Sequence, residues 1–125
     1  MVFELDEIET LVGEAPMPVA LDRSGEPRRV PTIVGRSAYR VVRDALDAAV
    51  CASAATVAIE FVPGAVVVQI DDDCTCTRDL EDLCELAAGL GGGLRATAEP
   101  GGFRVRAWLP TEGQPPSPAA PAAAR

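Results

Sequence analysis

Apolar residues along this chain fall into two rhythms, one with a period near 3.6 and one with a period of two, separated by glycine and proline. Residues 3–13 read as a short helix. Phe3, Ile8, Leu11 and Val12 share its stripe, Glu4, Asp6, Glu7 and Glu9 lie outside it, and Gly13 stops it. Pro16 and Pro18 lead into a short strand, Val19–Leu21, followed by a turn at Ser24-Gly25-Glu26-Pro27. The best-marked element is a helix from about Ile33 to Ala52, entered at Pro31 and Thr32. Tyr39, Val42, Leu46, Ala49 and Val50 recur on it at helical spacing, with Arg36, Arg40, Arg43, Asp44 and Asp47 elsewhere on the circumference.

Two strands, Thr56–Val62 and Ala65–Ile70, flank Pro63-Gly64 and predict a hairpin. Residues 71–77 are expected to be neither strand nor helix, because Asp71, Asp72 and Asp73 are adjacent like charges. A further amphipathic helix runs from about Asp79, placed as its cap, to Leu90, with Leu80, Leu83, Ala87 and Leu90 inward and Gly91-Gly92-Gly93 ending it. The last hairpin pairs Leu94–Glu99 with Phe103–Leu109 about Pro100-Gly101-Gly102, and Trp108 reads as a rim or edge residue. The order α-β-α-β-β-α-β-β predicts an α+β two-layer sandwich with helices on one face of the sheet. Residues 1–110 form the expected domain, and the Pro/Ala-rich residues 111–125 the expected disordered tail.

With 125 residues the chain suits one domain that needs no staples for its core. Aromatics are only 4% of it, so Val, Leu, Ile and Ala must build that core. The formal charge is −8, which argues against nucleic-acid binding. All 11 basic residues are arginines, read as coding bias rather than function. No apolar run approaches bilayer length, and the acidic N-terminus does not resemble a signal peptide, so a cytoplasmic protein with reduced thiols and no membrane insertion is expected. The chain has no histidine, which excludes a histidine phosphoacceptor, a histidine base and any histidine metal ligand within it.

The segment Ser37 to Val50, SAYRVVRDALDAAV, resembles the N-box helix of bacterial sensor histidine kinases, which reads roughly S-A-Y-R-I-V-Q-E-A-L-T-N-A-L. The hairpin ending Val67-Val68-Gln69-Ile70-Asp71-Asp72-Asp73 resembles the strand entering that family's D-x-G-x-G box. Leu80–Leu94 and Gly101–Pro110 resemble its last helix and closing hairpin. The resemblance spans about residues 5–110 and implies the histidine-kinase-type (GHKL) ATPase fold, with a mixed, mostly antiparallel sheet. It also places the family's chemistry. Asp44 matches the acidic position of the N box, here a vestigial general base, and Ala48 stands where an asparagine would hold Mg²⁺. A methyl group cannot ligate a hard cation, and Asp47 is turned roughly 100° away. Asp72 matches the carboxylate that reads the adenine amino group, while Cys74 and Cys76 replace the two box glycines, whose absence constricts the approach of a nucleotide. Only Thr77 to Asp79 separates this box from the next helix, leaving no room for a lid.

Asp44, Ala48, Asp72, Cys74 and Cys76 thus outline a vestigial nucleotide pocket with no catalytic residue retained. The expectation is a degenerate pseudo-kinase domain, not an enzyme, that acts as a signalling or regulatory module through a protein partner, with a homodimer among the options. No cofactor is expected, and any residual ATP and Mg²⁺ binding should be weak. The alternatives are an ATP-binding domain completed by a partner, and a cysteine-based metal or redox sensor. In the latter, Cys51, Cys74, Cys76 and Cys84 would form a thiolate site suited to Zn²⁺. Reduced cysteines acting as small apolar fillers of a vacated pocket are the favoured reading of all four.

Overall fold

Eight elements follow one another in the computed structural model, which describes residues 4–26, 29–76 and 78–111. They are α1 (Glu4–Gly13), β1 (Val19–Ser24), α2 (Thr32–Ala48), β2 (Ala55–Val62), β3 (Ala65–Asp72), α3 (Glu81–Gly89), β4 (Gly93–Glu99) and β5 (Gly102–Pro110). The sequence order predicted from periodicity is the observed one. Phe3 and residues 112–125, with the expected tail, lie outside the described residues.

The strands form a single sheet in the order β1-β2-β3-β5-β4. β1 pairs with β2 in parallel, across the α2 crossover, and every other neighbour is antiparallel. Pro63 and Gly64 close the β2–β3 hairpin, with Gly64 at φ 79°, the conformation a type II turn demands of its third residue. Pro100 and Gly101 repeat the device between β4 and β5.

Strand parity then decides what faces the helices. Val57 and Ile59 of β2, Val66, Val68 and Ile70 of β3, and Val105, Ala107 and Leu109 of β5 point to one face. There they meet Val34, Ala38, Val41, Val42, Ala45 and Leu46 of α2, Leu83 and Ala87 of α3, and Ile8 of α1 in one core. The opposite face carries Gln69 hydrogen-bonded to Arg106 (2.8 Å) and Asp71 to Arg104 (2.7 Å). Trp108 is half-exposed there, beside Val67 in the pairing register.

Three boundaries depart from expectation, the first at β1, which runs on to Ser24 rather than ending at Leu21. Helix α2 ends at Ala48 rather than Ala52, because Ala49 leaves helical geometry and its N–H donates back to Leu46. Val50, expected in the apolar stripe, is consequently 80% exposed. Strand β3 continues through Asp71 and Asp72, where a loop was expected. Alternation resolves the like-charge problem: Asp71 points to the open face and meets Arg104, Asp72 points to the core side, and each finds its own cation.

Candidate functional site

Asp72 is the last of four residues, after Val66, Val68 and Ile70, that β3 sends to the helix-covered face, so its carboxylate is carried into an apolar interior. A charge there must be paired. Arg78, from the connection into α3, supplies the pairing. Its Nη1 lies 2.9 Å from Asp72 Oδ2 and its Nη2 3.3 Å from Oδ1, a bidentate fork. Asp72 Oδ1 also accepts the Cys74 backbone N–H at 2.9 Å, and Arg78 Nη2 donates to the Cys74 carbonyl at 3.1 Å. The side chains of Arg78 and Asp72 are 3% and 1% exposed. The guanidinium carbon lies 4.1 Å from the centroid of the Phe103 ring, and Phe103 is the β5 partner of Asp72 in the register. Gly102 makes that approach possible, since a Cβ there would drive into the Asp72 carbonyl oxygen. Arg78 Nε is buried with no hydrogen-bond partner among the described residues.

Neither Arg78 nor Phe103 figured among the residues expected from sequence. The signal was nonetheless present: a carboxylate at an inward strand position requires a cation within reach, and Arg78 is the arginine that follows it most closely in sequence.

The helix side of the outlined pocket is occupied by local contacts. Asp44 Oδ2 accepts from Arg40 Nε at 3.3 Å, the i,i+4 pair that helical spacing predicts, and Oδ1 accepts from the adjacent Arg43 Nε at 3.0 Å. Ala48 is half-buried against the core, while Asp47 is exposed and borders a shallow hollow with Pro16, Met17 and Val50. Asp73 turns away from both its neighbours. Its carboxylate accepts hydrogen bonds from the Ser53 hydroxyl and the Ser53 N–H (2.7 Å), with the Ala54 N–H at 3.4 Å. These bonds, the Ser53 hydroxyl first, hold the Asp73 carboxyl below its ordinary pKa. The aspartate run therefore serves three separate sets of partners and does not converge on one point.

The cysteines depart from the expectation of four free fillers. Cys51, in the turn after α2, is disulfide-bonded to Cys74, with Cα atoms 5.2 Å apart. The sulfur of Cys76 stands 3.1 Å from that of Cys51. Cys51, Cys74 and Cys76 place their sulfur atoms within 4.8 Å of one another. Cys84 does not join them: it sits on α3 with its sulfur 3.9 Å from the Leu94 carbonyl oxygen, so the four-sulfur arrangement is corrected to three. Asp79, expected to cap α3, accepts the Glu81 N–H at 3.0 Å, although the helix itself begins one residue beyond Leu80.

No protein-family model and no curated protein matches the chain. Solved structures do. The histidine kinase domain of the E. coli osmosensor EnvZ superposes with a TM-score of 0.68 at 17% identity, over 93% of this chain and 89% of that one. The ATP-binding domain of PrrB from Mycobacterium tuberculosis gives 0.61 at 17% identity, over 90% and 96%. The histidine kinase AdeS from Acinetobacter baumannii gives 0.60 at 11% identity over 88% of this chain, which spans only 62% of that chain's length. The fold is that of histidine kinase ATP-binding domains, as the N-box resemblance implied. Among the described residues, no helix is long and apolar enough to cross a membrane.

Proposed function

We propose that this chain is a nucleotide-silent version of the histidine kinase ATP-binding domain, a cytoplasmic pseudo-kinase module that works by contacting a protein partner in a signalling pathway. One observation carries the reading. The Asp72 carboxylate, which the family resemblance assigns to the adenine amino group, already holds a buried bidentate guanidinium. Arg78 offers that carboxylate two donors and sits over the Phe103 ring, so an entering base would have to evict it. Breaking one side of a buried ion pair costs about 3–5 kcal/mol, which lowers affinity by roughly two to three and a half orders of magnitude.

The metal side supports the same conclusion. Phosphoryl transfer relies on cation-assisted charge neutralisation. Ala48 has no oxygen to offer, and Asp44 is shared between Arg40 and Arg43. With the chemistry lost and the core kept, the domain's remaining asset is its surface, available to a partner protein or a second copy of itself.

Isothermal titration calorimetry with ATP and Mg²⁺ tests this. No binding heat up to millimolar nucleotide is the expected result. Micromolar binding would overturn the proposal in favour of an ATP-binding domain completed by a partner.

A further inference from the structure

The two loops that flank the β2–β3 hairpin bring three sulfurs together. Cys51 lies in the α2–β2 connection, and Cys74 and Cys76 lie beyond the end of β3. Their convergence does not depend on the Cys51–Cys74 bond alone. Asp73 fastens the two loops by accepting from Ser53 and Ala54, and the Cys74 backbone is held at both its N–H and its carbonyl by the Asp72–Arg78 pair. Met17, 8% exposed, packs with Cys74 in a small buried cluster that Cys76 borders. The surroundings are thus sulfur-rich, have no imidazole, and are fixed by hydrogen bonds in which no sulfur of the disulfide takes part.

We propose that Cys51, Cys74 and Cys76 form a redox-gated site for a single soft cation of the Cu(I) class. Thiolate and thioether groups select such ions over hard ones, and three sulfurs within 4.8 Å of one another suit a trigonal thiolate centre. In the oxidised chain the Cys51 and Cys74 sulfurs are bonded to each other and offer no thiolate. A dithiol reductant donates two electrons and two protons, breaks that bond, leaves two thiols and becomes a disulfide itself. Cation binding then displaces the thiol protons to solvent. Preorganisation of the loops by Asp73 and Arg78 keeps the three sulfurs together in the reduced state. The metal is read directly, so the outcome is independent of whether nucleotide binds.

The test titrates the full chain anaerobically with Cu(I) delivered from a competing chelator, after reduction and removal of reductant, in parallel with the oxidised chain. Thiolate-to-copper charge-transfer absorption and metal analysis give the stoichiometry. The expected result is one tightly held Cu(I) per reduced chain and none per oxidised chain. Cys51→Ser and Cys76→Ser, neither at a fully buried position, should each weaken binding by more than the roughly 10–100-fold typical of outer-shell changes. Cys84→Ser should leave it unchanged. Matching circular dichroism spectra establish that the variants are folded. Equal uptake by the oxidised chain, uptake that survives Cys76→Ser in a folded variant, equal loss in Cys84→Ser, or no uptake by the reduced wild type would each overturn the proposal.

Discussion

Replacing Arg78 with methionine removes the guanidinium but keeps an unbranched chain of similar reach over Phe103. What remains is the Asp72 carboxylate, 1% exposed, with one backbone N–H as its hydrogen-bond donor. Removing one member of a buried ion pair costs about 3–5 kcal/mol, most of it from the stranded charge. The lost stacking on Phe103 is part of that sum, at about 2 kcal/mol when desolvated. Domains of this class hold about 5–15 kcal/mol in total, so Arg78→Met should lose about a fifth or more of its stability and about 12–20 °C in melting temperature. Urea unfolding followed by circular dichroism reads the loss as a lower midpoint at constant slope. The double variant Asp72→Asn/Arg78→Met separates charge from shape. Asparagine keeps an acceptor for the Cys74 N–H, and no buried charge remains. It should be more stable than Arg78→Met alone by about 2 kcal/mol or more. An Arg78→Met variant within 1 kcal/mol of wild type, or a double variant no better than the single, would refute the argument that this pair is a buried, charge-balanced unit.

Three further outcomes follow from the same contacts. Asp73, held below its ordinary pKa by the Ser53 hydroxyl and backbone, contributes stability that is fully present above the unfolded carboxylate value and lost as pH falls through its folded value. The midpoint gap between wild type and Asp73→Asn in urea should therefore close between about pH 5 and about pH 2, and a gap that stays constant would contradict the assignment. Gly102→Ala places a methyl group against the Asp72 carbonyl oxygen, backbone against backbone, and should cost about 1–3 kcal/mol in the same assay, whereas Gly13→Ala, with open space around it, should cost nothing comparable. Opening the Cys51–Cys74 link, which spans 23 positions of sequence, should lower stability by about 3 kcal/mol on chain-entropy grounds, read as a drop in melting temperature on adding reductant that the Cys51→Ala/Cys74→Ala variant does not show.

Much of the architecture was legible because local signals agreed with one another. Pro63-Gly64 and Pro100-Gly101 each sit between alternating apolar runs, and the structure turns at both. Helix α2 was legible in its first four turns but not at its end, because Ala49, Val50 and Ala52 continue a helix-compatible composition while the backbone leaves at Ala49. The end of β3 was hidden for a different reason. Three consecutive aspartates look uniform in composition, and only strand parity distinguishes Asp71, facing Arg104, from Asp72, facing Arg78. The family resemblance marked Asp72, Cys74 and Cys76 as neighbours of one pocket, but it could not reveal that an arginine within this chain fills the carboxylate. Nor could cysteine spacing say which sulfurs meet. Cys84 is separated from the other three because α3 carries it towards Leu94, a matter of packing rather than of spacing.

The central strand has its two neighbours at very different points in the chain. β3 meets β2 at once, through a two-residue turn, but its other edge is completed by β5, which is made last. A nascent chain emerging from the ribosome must therefore hold Val66, Val68 and Ile70 along an open backbone edge until residues 102–110 have appeared. During that interval the half-built sheet is open to pairing with another polypeptide, and two features guard against it. Asp71, Asp72 and Asp73 put negative charge at one end of the open edge, and the tight Pro100-Gly101 turn delivers β5 to its place as soon as β4 is made.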